Sequence, residues 1–546
     1  MVIYAKVFLF CLISQMAWYN TSLFSRWAGM WSFRYYSTAG ILEGNIEKMM
    51  SPYELANLEK NSLFFSASYL GVSPKSRNVI FLGHNNIGFA SLFWGLQNNG
   101  YSEENPYTSY NIYRYDKDGD GVWDREEVSD YSSTQKVSNF EYDWYLGLSK
   151  KFGNISAGLI FIPIKIEVDS TYDEELTFAR NNLLFGEGIK DSATVVSTEE
   201  EDKRSGFLIG LEGGYKGENY NFAFAFGFAP VEEKNDFNLE SSEYIDESPE
   251  VEDSNFISNQ NTTNSVFDWK GYDMGIGLKG GYKIGDNIDF NSYLHIIFSS
   301  RDLEEDAGYY GNSKEYRVNE TGTGKEVFSY IEDISSKYTD GKFKVNGLTW
   351  FNKVTYKLND KLILGLGLGL NFEKGKTEYM IDSVVSIVEN YDNGNGILDA
   401  NDYVETKDGE YKFSVLNSFA NTDIWVPVGL EAKLYKGIKA RFGVIYTMSI
   451  SKVGSDVNVV EYAALTTIRV NGLGDTVVYE VESPLDLSSY KYDYNTHDRL
   501  IGYYYGFEWN IYKNLIFEVG SWSPTLPTVE EFLWTQHWQW GVSFKF

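Results

Sequence analysis

The chain has 546 residues, and its 77 Asp and Glu against 47 Lys and Arg give a formal net charge of −30. That balance weighs against nucleic acid as a partner, because phosphate binding draws on Lys and Arg. Aromatic residues make up 17% of the chain and cysteine occurs once, while no stretch supplies the ~20 consecutive apolar residues of a membrane helix.

Met1 to Lys6 carries one positive charge, Val7 to Met16 is a short apolar core, and Ala17 is a candidate cleavage position. Residues 1–17 therefore read as an export signal. The single cysteine, Cys11, lies inside that core, so the mature chain has no disulfide framework. From Thr21 to Lys60 the sequence does not alternate. Ala28, Gly29 and Met30 are followed about twenty residues later by Ser51-Pro52-Tyr53-Glu54-Leu55. These two segments resemble the A-x-G-M-G and N-P-A-x-L motifs of the FadL/TodX-type outer-membrane transport proteins and their PorV-like relatives. Trp31 stands where that family has glycine, Ser51 where it has Asn, and Tyr53 where it has Ala. The resemblance implies that residues 18–61 fold into a barrel lumen as a plug or hatch, with Ala28, Gly29, Met30, Ser51, Pro52 and Leu55 as its motif residues. A periplasmic tail leading into the barrel is the plainer alternative.

Ser62 to Tyr69 reads as the first strand-like run, and after residue 85 the signal becomes a regular period 2. In one run Tyr220, Phe222, Phe224, Phe226 and Phe228 face one way and Asn221, Ala223, Ala225 and Gly227 the other. In another, Leu362, Leu364, Leu366, Leu368, Leu370 and Phe372 oppose Gly365, Gly367, Gly369 and Asn371. Six tight turns, near Gly153, Gly217, Gly285, Asn359, Gly437 and Asn514, pair such runs into hairpins. Long polar connections separate the hairpins at 98–137, 169–204, 230–265, 301–340, 375–421 and 452–495. Short turns on one side and long loops on the other are the asymmetry of a transmembrane barrel. Twelve hairpin strands, a run at Ile87–Leu96 and the terminal strand make about fourteen, leaving Ser62–Tyr69 and Asn78–Gly83 as short extras near the plug or as part of the first strand.

The last strand alternates without a break: Trp538, Trp540, Val542, Phe544 and Phe546 against His537, Gln539, Gly541, Ser543 and Lys545. A free edge of that kind invites aggregation in water, whereas a closed barrel in lipid has no edge. A terminal Phe also resembles the signal read by the barrel-assembly machinery. This makes that machinery an expected partner.

The sharpest local motif is Asp116 to Glu127, which matches the D-x-[DN]-x-[DN]-G-x₅-E calcium loop. Asp116, Asp118, Asp120, the Val122 carbonyl, Asp124 and Glu127 would be its ligands, since calcium takes 6–8 oxygens. A weaker copy places Asn393, Asn395, Ile397, Asp399 and Asp402 at ligand positions, with Tyr391 where an acid is wanted. Structural calcium is thus the expected cofactor. A solvated acidic loop is the alternative in each case. For catalysis there is little: His84, His295, His497 and His537 are scattered, and no H-E-x-x-H or G-x-S-x-G occurs.

The expectation is an all-β fold: a transmembrane antiparallel up-and-down β-barrel over 62–546, in the outer membrane of a diderm bacterium and in contact with outer-membrane lipid. It is expected not to be an enzyme. By resemblance, its function is uptake of hydrophobic small molecules such as fatty acids. The rival is a non-transporting, secretion-associated or binding barrel.

Overall fold

Alternation of apolar and polar residues sends successive side chains to opposite faces of a strand, and the segments that carry it are strands in the computed structural model. It describes residues 38–44, 48, 51–58, 60–67, 76–115, 125–182, 187–246, 256–304, 307–321, 324–395, 400–462, 465–481, 490–523 and 539–546. Among these lie β1 (Ser62–Ala67), β2 (Ser76–Asn86), β3 (Ser91–Tyr115), β4 (Arg125–Phe152), β5 (Ile155–Asn182), β6 (Glu187–Lys216) and β7 (Tyr220–Asp246). Next come β8 (Phe256–Ile284), β9 (Ile288–Leu303), β10 (Gly308–Thr321), β11 (Gly324–Asn359), β12 (Leu362–Asp392) and β13 (Tyr403–Tyr435). The last are β14 (Ile438–Tyr462), β15 (Leu465–Asn471), β16 (Thr476–Val481), β17 (Tyr490–Tyr512), β18 (Leu515–Ser523) and β19 (Gln539–Lys545).

All pairings are antiparallel, and β19 pairs with β1 from Ser62↔Lys545 to Ala67↔Trp540, which closes the sheet. The closed wall contains sixteen strands: β1 to β9, β11 to β14, and β17 to β19. The count of about fourteen is therefore corrected. The two runs set aside as short extras are full staves, β1 and β2, paired through Phe65↔Phe81. Their alternation is hard to read because β1 is six residues long and polar residues such as Ser76, Arg77, Asn78 and Asn85 dilute that of β2. A seventh short turn joins β2 to β3, with Gly88 at φ 85° and the Ile87 amide donating to the Ala90 carbonyl at 2.9 Å. β10 continues the line of β9 between β8 and β11, and β15 with β16 forms a hairpin attached to β13.

The six turns read from sequence all connect adjacent staves. The long connections are different from loops: they are mostly strand. β11 alone has 36 residues, whereas a membrane strand needs about 9–11. The sheet thus stands well beyond its apolar band on the side away from the short turns. The chain end lies on the short-turn side, where the Lys545 amide donates to Asn514 O at 2.9 Å and the Phe546 amide to Asn61 O at 3.1 Å.

The outward face is apolar near the short turns: Leu364, Leu366, Leu368 and Phe372 of β12 are all exposed, as are Trp144, Leu146 and Leu148 of β4. Among the described residues the inward face carries two large cores, besides a small cluster at Val385 and Tyr411. One gathers Phe64, Leu82, Phe93, Tyr145, Ile160 and Leu208 around Leu55. The other, in the extended part of the sheet, gathers Phe267, Trp269, Tyr338, Phe343, Tyr379 and Phe419. Among the described residues no helix is long and apolar enough to cross a membrane.

Candidate functional site

The site is built where the described N-terminal residues meet the inner wall. Ser51 caps a single helical turn, α1 (Pro52–Leu55), by accepting from the Glu54 amide at 3.3 Å, and Pro52 takes the first helical position, where no amide donor is needed. Upstream, Ala39 and Gly40 both have positive φ. The turn they make lets the Ile41 amide donate to Thr38 O at 3.2 Å and the Leu42 amide to Thr38 Oγ1 at 3.1 Å. Thr38, Ile41 and Leu55 are fully buried.

Leu55 is buried in the first apolar core, whereas Thr38 and Ile41 lie against a strip of inward glycines. A Cβ at Gly365 would run into the Ile41 side chain, and one at Gly367 would stand 2.9 Å from both Ile41 Cδ1 and Phe351. At Gly429 it would meet Thr38 O at 2.6 Å, and at Gly214 the Tyr53 ring at 2.7 Å. The Leu-Gly alternation of β12 thus does two jobs at once. Its leucines form the outer apolar face, and its glycines leave room for another chain segment inside.

Charged groups fasten the same segment. Glu43 pairs with Lys353 of β11 at 2.6 Å and lies 3.9 Å from Lys279 of β8. Lys279 also binds Glu54, and Tyr293 donates to Glu43. On β6, Glu212 accepts from Ser51 Oγ at 2.7 Å and from the Tyr53 amide at 3.1 Å, while Tyr53 Oη donates to Tyr215 O at 3.0 Å. Asn57 donates to Ser156 Oγ at 3.3 Å. Both ammonium groups lie 5.2 Å from the centre of the Tyr293 ring, which with Phe351 and Trp425 forms an inward stack at 6.2 and 6.1 Å. Two more ion clusters bracket the site. Arg441 binds Glu431 at 2.9 Å and Glu518 at 2.8 Å near the short-turn end. Towards the extended end, Arg204 and Arg301 each stand 3.2 Å from Asp273.

Of the residues singled out from sequence, Ser51, Pro52 and Leu55 lie against the inner wall, whereas Ala28, Gly29 and Met30 fall outside the described residues. So do Asp116, Asp118, Asp120, Val122 and Asp124; Glu127 is in β4, opposite Tyr113. In the second loop Ile397 and Asp399 lie outside the described residues. Asp402 is buried and accepts from the Asn393 amide at 2.9 Å, and Asn393 Oδ1 accepts from the Asn395 amide at 3.0 Å. That oxygen donor set suits a hard cation, although two of its oxygens already serve backbone amides. Among the described residues no three His, Cys, Asp or Glu side chains form a metal-holding group. His84 is buried with Nδ1 3.0 Å from Lys60 O. Sequence reasoning missed Glu43, Glu54, Glu212, Lys279, Tyr293 and Lys353. The available signal was a lysine on the inward parity of a greasy strand, as at Lys279 beside Leu278 or Lys353 beside Val354.

Fold and site together define a class: a closed antiparallel barrel of sixteen strands with an apolar outer face, whose inner wall seats the described N-terminal residues on ionic anchors. No family model and no curated protein matches the sequence. Among solved structures the chain is similar to a TodX monoaromatic hydrocarbon channel mutant, at 11% identity over 92% of this chain and 94% of that one, with a TM-score of 0.27. The P. putida toluene transporter TodX is similar at 10% identity over 81% of this chain and 98% of its own, with a TM-score of 0.19. An iron transporter of Neisseria meningitidis, FrpB, is similar at 9% identity over 90% and 82%, with a TM-score of 0.22.

Proposed function

We propose that the protein is an outer-membrane channel for the uptake of small hydrophobic molecules of fatty-acid type, with residues 18–61 acting as its plug. The observation that carries this reading is the lumen wall around Leu55, where Phe64, Leu82, Phe93, Ile160 and Leu208 present apolar surface to the same segment that Glu43 and Glu54 anchor. An apolar seat fastened by a few ion pairs can be released by small changes in those pairs. The outer apolar face, whose closure leaves no unpaired edge there, supports placement in the outer membrane of a diderm bacterium. Residues 1–17 would direct export, and the strand ending in Phe546 would engage the barrel-assembly machinery. Structural calcium, held by the loop from Asp116 to Glu127 and by the loop around Asp402, would order the outer ends of the hairpins by neutralising their carboxylates.

The test is flux. Purified barrel in liposomes should pass a labelled long-chain fatty acid, and deletion of residues 38–58 should change that rate. A barrel that neither binds nor passes the label, and is indifferent to the deletion, would rule out transport. A second reading is favoured by the sheet that stands beyond the apolar band and by the aromatic core that fills part of it. This is a surface barrel that binds a secreted or neighbouring protein without moving a solute. It predicts no flux, and capture that depends on the extended strands.

A further inference from the structure

The outer face carries a dense cationic array at the upper limit of its apolar band. Outward positions on β11 run Trp350, Leu348, Asn346, Lys344, Lys342, and those on β12 run Leu370, Phe372, Lys374, Lys376. Cross-strand register joins them. Lys344 is opposite Lys376 and Asn346 opposite Lys374, and Ala420 of β13 lies between Lys374 and Lys452 of β14. All five lysines are exposed. Lys376 has Glu378 at 2.5 Å. Among the described residues the other four form no ion pair. Lysines at a comparable height on β5 and β7 are neutralised within their own strands, Lys165 by Glu167 and Lys234 by Asp236, each at 2.6 Å. Like charges directly opposite across a sheet repel. Lys342 faces Asp302 of β9 and Glu378 of β12 in register, whereas Lys344, Lys374, Lys376 and Lys452 have no carboxylate directly opposite. In a chain of net charge −30, that cluster points to an anion from outside.

The surface next to the array says which anion. On the same face an apolar groove of about 680 Å³ crosses from β7 to β12, walled by Phe224, Leu278, Leu294, Leu348, Trp350 and Phe372. Gly280 and Ser292 line it as well, and a Cβ at Gly280 would have open space around it. Leu348 and Phe372, paired across the sheet, lie one outward position below Asn346 and Lys374. Phosphate chemistry above and hydrocarbon chemistry below are thus continuous on one face.

We propose that Lys342, Lys344, Lys374, Lys376 and Lys452 bind the phosphates of an outer-leaflet lipid, one of whose acyl chains lies in the groove. The site rests on the reading of this chain as an outer-membrane barrel. Each lysine near a membrane surface contributes about fivefold to attraction of an anionic headgroup.

The full-length protein is inserted into phosphatidylcholine vesicles containing either bisphosphorylated lipid A or the same lipid with its phosphates removed. It is then extracted, and the retained lipid is measured by native mass spectrometry. Wild type is expected to retain the phosphorylated form by about tenfold or more over the dephosphorylated one. K344E/K374E/K376E is expected to lose that preference, the milder K344Q/K374Q/K376Q to lose part of it, and K165E/K234E to keep it. Equal retention of both lipids by wild type overturns the site, as does an undiminished preference in the inserted triple variants. Complete displacement by excess inorganic phosphate overturns the lipid assignment in favour of a free anion. Failure of wild type to insert into plain phosphatidylcholine vesicles would instead strike at the membrane reading.

Discussion

Replacing Gly365 by valine tests how the N-terminal residues are seated. The new side chain would point into the lumen where Ile41 now lies fully buried, and even its Cβ would collide with that side chain. The outward leucines on either side, Leu364 and Leu366, are untouched. Expelling Ile41 forfeits about 1.5–3 kcal/mol of apolar burial and accommodating it by overpacking costs about 1–3 kcal/mol; the cheaper response prevails, so seating should weaken by about 1–3 kcal/mol. That corresponds to a roughly 5- to 160-fold larger open population. Hydrogen exchange followed by mass spectrometry reads it directly, because the Ile41 and Leu42 amides are bonded to Thr38. Peptides covering 38–44 should exchange faster while those from β11 to β13 stay protected. Adding Ile41→Ala to Gly365→Val should recover part of the protection. Unchanged exchange at 38–44, or a uniform rise across the barrel, would refute the glycine-cradle argument.

The ionic anchors give a second expectation. Lys353→Met leaves Glu43 with Lys279 at 3.9 Å as its remaining cation, and breaking a buried pair this way costs about 3–5 kcal/mol. Exchange at 38–44 should rise and fatty-acid flux should change with it; no movement in either would dismiss the anchor. Asp202, above the apolar band, has its carboxyl pushed up to about 6, first by burial and further by Glu200, Glu233 and Asp236, against the opposing hydrogen bond from Asn235. A folded value above the unfolded one means that the folded state holds the proton more tightly between about pH 4 and 6, so stability falls as pH rises through that window. Asp202→Asn should therefore raise the melting temperature at pH 7.5, by up to about 3 kcal/mol in stability, and do little at pH 4. An equal effect at both pH values would contradict the assignment. For the calcium loop, titration should change Trp123 fluorescence in the wild type and not in Asp120→Ala/Glu127→Ala; an identical response in the two proteins would remove the metal.

Much of the barrel was legible because alternation is a local property: Tyr220 to Phe228 and Leu362 to Phe372 declare their two faces without knowing their neighbours. The turns at Gly153, Gly217, Gly285 and Gly437 are equally local, since each needs only a few residues of the right backbone freedom. The strand number was not local. β1 is too short and β2 too polar to show a period, and both are staves only because β19 pairs with β1 and β3 pairs with β2. The long polar stretches misled for the same reason. Segments such as 102–115 lack a greasy face, yet backbone pairing with β4 makes them strand. The sequence by itself determined which face of each strand is apolar, where the tight turns fall, and that the last strand closes on an aromatic. Only the tertiary structure decided that Glu43 meets Lys353 across 310 positions, that glycines on β12 and β13 leave a bed for Ile41 and Thr38, and that lysines from β11, β12 and β14 form one array. Those are contacts between residues remote in sequence. Closure of the sheet sets their distances, and no local pattern encodes them.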